Sequence, residues 1–202
     1  MLRMPLTVVA TTMAAALLAA QPVLAGPPLV CFPFEIGNAR SLPIVHTGYG
    51  AVDPKYDVSR LSADTIELLD AKTPVIVHME TMRRAALYAL ANRTAGAELL
   101  AKLRERAGMK TEDAPLAVFD FGYLVETYRQ AGVHLGDEID GYVWVQKAIA
   151  LQKDPQMEFA AAIISAWPKR AEHTEHARNA TAGAANDPLL SKNLAGHLQE
   201  PE

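Results

Sequence analysis

Residues 115–131 read PLAVFDFGYLVETYRQA. Ala117, Phe121, Leu124, Tyr128 and Ala131 recur there at the spacing of one helical face. Pro115 stands where proline is tolerated, in the first turn, whose N–H groups have no partner within the helix. Two other stretches repeat the arrangement. After Pro74 come Val75, Met79, Met82, Ala86 and Leu90; after Pro155 come Phe159, Ala160, Ile163 and Ala166, ending near Pro168. The three prolines are spaced 41 and 40 residues apart.

Each unit carries a second helical stretch. Residues 94–107 place Ala97, Leu100, Leu103 and Ala107 on one side, with a Glu98–Lys102 pair at i, i+4. Asp140 is positioned to cap a helix over 141–152 with Trp144, Val145, Ala148 and Ile149 on its apolar side. A further partner is expected over 169–182, and Pro188 opens a short terminal helix through Leu198. Ser62 is expected to cap a helix carrying Asp64 and Glu67. The pattern predicts an all-α domain over 61–198, built of stacked antiparallel helical hairpins as a short α-solenoid or an irregular helical bundle. Residues 26–60 hold five prolines and read as an irregular N-terminal lead-in, with an extended segment over 29–34 and a helical turn near 36–41. Residues 199–202 form a tail.

The chain has 202 residues, 50% hydrophobic and 21% charged, with a net charge of −4. That size and apolar content exclude disorder, and the mild acidity argues against nucleic acid as a partner. Residues 1–25 read as a signal peptide: Arg3, an apolar run from Leu6 to Ala20, and Val23-Leu24-Ala25 before a cut at Gly26. The run is short of the roughly 20 residues that span a bilayer, and no later segment reaches that length. The expected location is therefore periplasmic or secreted, by bacterial export. Cys31 is the single cysteine, which excludes a disulfide framework. It is read as a buried apolar side chain or as the link in a disulfide-bonded dimer.

Residues 148–162 carry a family resemblance. Ala148-Ile149-Ala150-Leu151, then Asp154-Pro155, then Phe159-Ala160-Ala161-Ala162 resembles the junction between tetratricopeptide-type repeats. There an Ala-rich helix end precedes a proline that opens the next unit. The period here is longer, and Phe121-Gly122-Tyr123 only echoes the aromatic signature of a first helix. The resemblance implies hairpin stacking and a groove that binds polypeptide.

Four groups of residues are candidates for chemistry. His173 and His176, three apart on one helix, could ligate a transition metal with a carboxylate from elsewhere; the other reading is a polar surface helix. His78 flanks an apolar stripe and Glu80 can pair with Arg83 or Arg84. Adjacent arginines are expected to point in different directions. Asp120 lies nearer its helix's apolar side than Glu126, which is expected to point away, so Asp120 is read as polar glue between hairpins. No phosphate-binding loop, nucleophile elbow or dinucleotide fingerprint occurs. The sequence favours an exported interaction protein for a polypeptide or cell-envelope partner over an enzyme. A metal- or small-ligand-binding protein using His173 and His176 is the alternative, and an enzyme centred on His78, Glu80 and Asp120 is the third reading.

Overall fold

The computed structural model describes residues 28–45, 51–166 and 168–198. The expected signal peptide at 1–25 and the tail at 199–202 lie outside the described residues. Within them the chain is all-α. The helices are α1 (Pro28–Cys31), α2 (Leu61–Leu68), α3 (Val75–Ala91), α4 (Arg93–Gly108), α5 (Ala114–Ala131), α6 (Gly141–Leu151), α7 (Pro155–Ala166), α8 (His173–Gly183) and α9 (Pro188–His197). A two-residue antiparallel ladder joins β1 (Ile44–Val45) to β2 (Ala51–Val52). No described helix is long and apolar enough to cross a membrane.

The punctuation residues act where their chemistry places them. Pro74 is the N-cap of α3, Pro115 lies in the first turn of α5, and Pro155 and Pro188 open α7 and α9. Asp140 accepts from the Tyr142 amide to cap α6, and Asn92 accepts from the Ala95 amide to cap α4. At the end of α5, Gly132 adopts φ +73°, its N–H reaches the Arg129 carbonyl, and the Val133 N–H reaches that of Tyr128. This left-handed stop satisfies carbonyls that the helix leaves open.

Burial of α5 decides between the two predicted architectures. Every residue from Ala117 to Tyr128 is buried, on all sides of the helix. A helix apolar all round belongs at the centre of a globule, whereas a solenoid repeat touches only its neighbours. Here α5 packs against α1, α3, α4, α6 and α7, and α3 reaches α1 and α7 as well. The hairpins close into an irregular bundle around α5. Phe119, Phe121, Leu124 and Tyr128 are fully buried, each worth about 1.5–3 kcal/mol of apolar transfer.

Several local expectations are corrected. Residues 29–34 are not extended: α1 occupies their first half, with Leu29 fully buried. Residues 36–41 form a turn around Gly37 at φ +59°, not a helix. Ser62 does not cap α2. A 3-10 turn capped by Asp57 runs into the helix at Leu61, and Ser62 is buried inside it. The buried face of α4 is Ala95, Gly96, Leu99, Leu103 and Ala107, so Ala97 faces out. Leu90, the last residue of the α3 stripe, is 45% exposed. The helix expected from residue 169 starts at His173, because Lys169 takes φ +51° and its N–H and that of Arg170 close the end of α7 on the Ala166 and Ser165 carbonyls.

Candidate functional site

Two polar groups are buried in the bundle and a third lines a cleft. In the first, His78 of α3 meets Asp120 of α5, Nδ1 to Oδ1 at 2.7 Å, with both side chains fully buried. His78 Nε2 lies 3.1 Å from the Asp70 carbonyl in the α2–α3 turn. A carbonyl and a carboxylate only accept, so the ring is held by two acceptors. Burial opposes its charge, but the Asp120 charge and hydrogen bond outweigh burial and raise its pKa above the usual 6.5. Arg106 of α4 stands 3.9 Å from Asp120 Oδ2 and 3.6 Å from Asp113. The group ties the α2–α3 turn, α3, α4 and α5 together.

The second group is centred on Glu80, fully buried. Arg83 donates to both its oxygens, Arg84 donates to Oε1 at 2.7 Å, and the Phe34 amide donates to Oε2. The two adjacent arginines therefore share one carboxylate, which corrects the expectation that they diverge. Arg83 continues to the Val30 carbonyl and Arg84 to that of Leu42. His78 and Glu80 share no partner, so the predicted His78–Glu80–Asp120 centre is two structural groups facing different segments. Glu126 is likewise corrected: it is buried, accepts from Arg129 at 2.5 Å, and takes the Tyr142 amide at the start of α6.

The third group opens to solvent. A cleft of about 630 Å³ runs between α6, α7 and α8, with Gln146, Ile149, Lys153, Asp154, Glu158, Glu172, Glu175, His176 and Asn179 on its walls. Pro155 at the start of α7 touches the end of α8 at Gly183, which keeps the two helices antiparallel and close. His176 is 9% exposed and fixed at both ring nitrogens: Nδ1 is 2.5 Å from Glu158 Oε2, and Nε2 is 2.8 Å from the Tyr142 hydroxyl. Gln146 donates to the same hydroxyl and Asn179 to Glu158 Oε1. The chain of bonds thus runs from Asn179 and Glu158 through His176 and Tyr142 to Gln146. The Arg170 guanidinium lies 4.4 Å over the Tyr142 ring and pairs with Asp140. Burial first, and then the charge of Glu172, push the Tyr142 phenol up to about 12.

Of the two predicted metal ligands, only His176 lines this cleft. His173 turns its Nδ1 to the Ala162 carbonyl at 2.9 Å and borders a separate groove with Thr174, Ala177 and Arg178. The two imidazoles use their nitrogens on different partners and do not converge. Among the described residues no group of three or more His, Cys, Asp or Glu side chains is placed to hold a metal ion. Cys31 is a free, half-buried thiol on α1. The residues not anticipated are Gln146 and Glu158 on the cleft walls and the buried Tyr142 that bonds His176. The i, i+4 spacing of Tyr142 and Gln146 was the only local signal for them; Glu158 meets His176 through the α7–α8 turn alone.

No family model matches the chain, and no curated protein or solved structure shows significant similarity to it.

Proposed function

We propose that the protein is an exported binding protein whose cleft between α6, α7 and α8 receives the cationic group of a small ligand or of a basic side chain on an envelope polypeptide. The observation that carries this reading is the cleft itself. Its walls present Asp154, Glu158, Glu172 and Glu175 against a single Lys153, around a His176 held rigid by Glu158 and Tyr142. Its volume suits a ligand of modest size, and Ile149, Ala150 and Pro155 supply an apolar floor. Closure of the bundle favours this cleft over the open groove expected between stacked hairpins, and export rests on the leader read in residues 1–25.

Thermal denaturation of the mature chain tests it, with spermidine, a Lys-Lys dipeptide amide and the fully N-acetylated, uncharged form of each as probes. A saturating cationic probe should raise the midpoint by about 5–10 °C, as binding at a hundred times Kd does for a domain of this size. The acetylated forms should not. Response to spermidine alone points to a free amine, and response to both to a basic side chain. Equal shifts in wild type and Glu158→Gln, or none with any cation, would overturn the reading.

A further inference from the structure

Residues 28–45 cross the bundle as a strap, and the helices grip that strap by its backbone. Gln130 accepts from the Leu29 amide, Glu80 from the Phe34 amide, and Arg83 and Arg84 donate to the Val30 and Leu42 carbonyls. Asn193 of α9 bonds both the amide and the carbonyl of Glu35 at 2.9 Å, and Tyr88 donates to the Pro43 carbonyl. Apolar contacts add to this. Leu29, Phe34 and Leu42 are buried, and the His197 ring stacks on Phe34 with centroids 4.6 Å apart. The partners come from α3, α5 and α9, so the strap fills a seam between those helices.

The seam closes very near the expected processing site. Leu29 follows the cut before Gly26 by four positions, and four extended residues reach at most ~14 Å. Processing needs the residues around the cut extended at the membrane surface, while docking needs Leu29 inside the core as part of α1, packed on α3, α5 and α7. The same few residues cannot satisfy both demands at once.

We propose that the strap docks last: removal of residues 1–25 frees the N-terminus, and residues 28–45 then close onto a bundle whose helices are already formed. This rests on the export reading of the proposed function. The leader therefore delays completion of the fold as well as directing the chain, and the buried Glu80–Arg83–Arg84 group acts as the receiving clamp.

Cys31 is a built-in reporter, since it is the only cysteine and sits half-buried on α1. The full chain is expressed in an export-competent bacterium, as wild type and as Gly26→Pro. The substitution removes the N–H and fixes φ beside the scissile bond, which retains the leader. Alkylation of Cys31 by a maleimide is timed on membranes for the retained form and on the released protein for the processed form. The retained form should label about tenfold faster or more, the mark of an undocked segment, with the helical circular dichroism unchanged. Equal labelling rates would overturn the proposal, and so would a retained form that has lost its helices. A wild-type mass that still includes residues 1–25 would instead sink the export reading and this inference with it, and the mass spectrum separates that failure from the other two.

Discussion

Asp120 Oδ1 and His78 Nδ1 lie 2.7 Å apart with neither side chain exposed, and the other ring nitrogen faces the Asp70 carbonyl. With acceptors on both sides, the ring satisfies its surroundings as an imidazolium beside a carboxylate. A charged pair inside an apolar bundle is costly to form and costlier to break, because removing one partner strands the other.

Asp120→Asn should therefore lower stability by about 3–5 kcal/mol, the cost of stranding a buried charge. The effect should depend on pH. The His78 pKa is raised in the folded state, so its contribution is fully present below the unfolded value near 6.5 and is lost as pH rises through the folded value. Urea denaturation of both proteins across this range checks it: the gap between them should be widest at low pH and narrow as pH climbs. A constant gap would count against a charged pair.

Tyr142→Phe keeps the ring under Arg170 but removes the hydroxyl that joins Gln146 to His176. Two polar groups lose their partner, at a cost of about 1–3 kcal/mol. The wild-type phenol ionises near 12 when folded and near 10 when unfolded, so its contribution is intact below 10 and fades as pH rises toward 12. Alkaline denaturation should show wild type losing its advantage over the variant across that window.

Gly141→Ala and Gly122→Ala test the crossing of α5 and α6. A Cβ on Gly122 would lie 2.6 Å from both the Gly141 carbonyl oxygen and the Trp144 Cβ, and one on Gly141 would press on the Gly122 carbonyl and on Glu126. Backbone atoms cannot swing aside, so the helices must part. Each change should cost about 1–3 kcal/mol or more in denaturant unfolding, and Gly196→Ala, with open space around it, is the matched control.

Asn193→Ala removes both bonds to the Glu35 backbone. Its loss should cost about 0.5–1.5 kcal/mol per bond, since two part-buried backbone groups lose their partner. Hydrogen exchange should quicken at Glu35 and in the flanking strap while the amides of α5 stay protected. Uniform quickening across the chain would show that the strap and the bundle open as one unit.

Helix identity was legible because the signals are local. The prolines at 74, 115, 155 and 188, the Asp140 cap and the apolar spacing each act within a turn or two of the residue that carries them. The Glu80 pairing was legible for the same reason. Two kinds of feature were not. Boundaries that depend on irregular backbone, such as the start of α8 after Lys169, carry no periodic signature. Burial of polar residues is settled by neighbours distant in sequence: Glu126 was expected to face outward because its own helix has an apolar side, but α6 covers it.

The sequence by itself determined that this chain is helical and where most of its helices begin. These follow from propensity, capping and hydrophobic period, which short segments express without help. Only the tertiary structure decided that the hairpins close around α5, that His176 joins Glu158 and Tyr142 at a cleft while His173 turns away, and that the lead-in is a strap held by α3, α5 and α9. Those outcomes depend on which helix faces meet, and groups 18, 34 or 158 residues apart come within hydrogen-bond distance only when the whole bundle has packed.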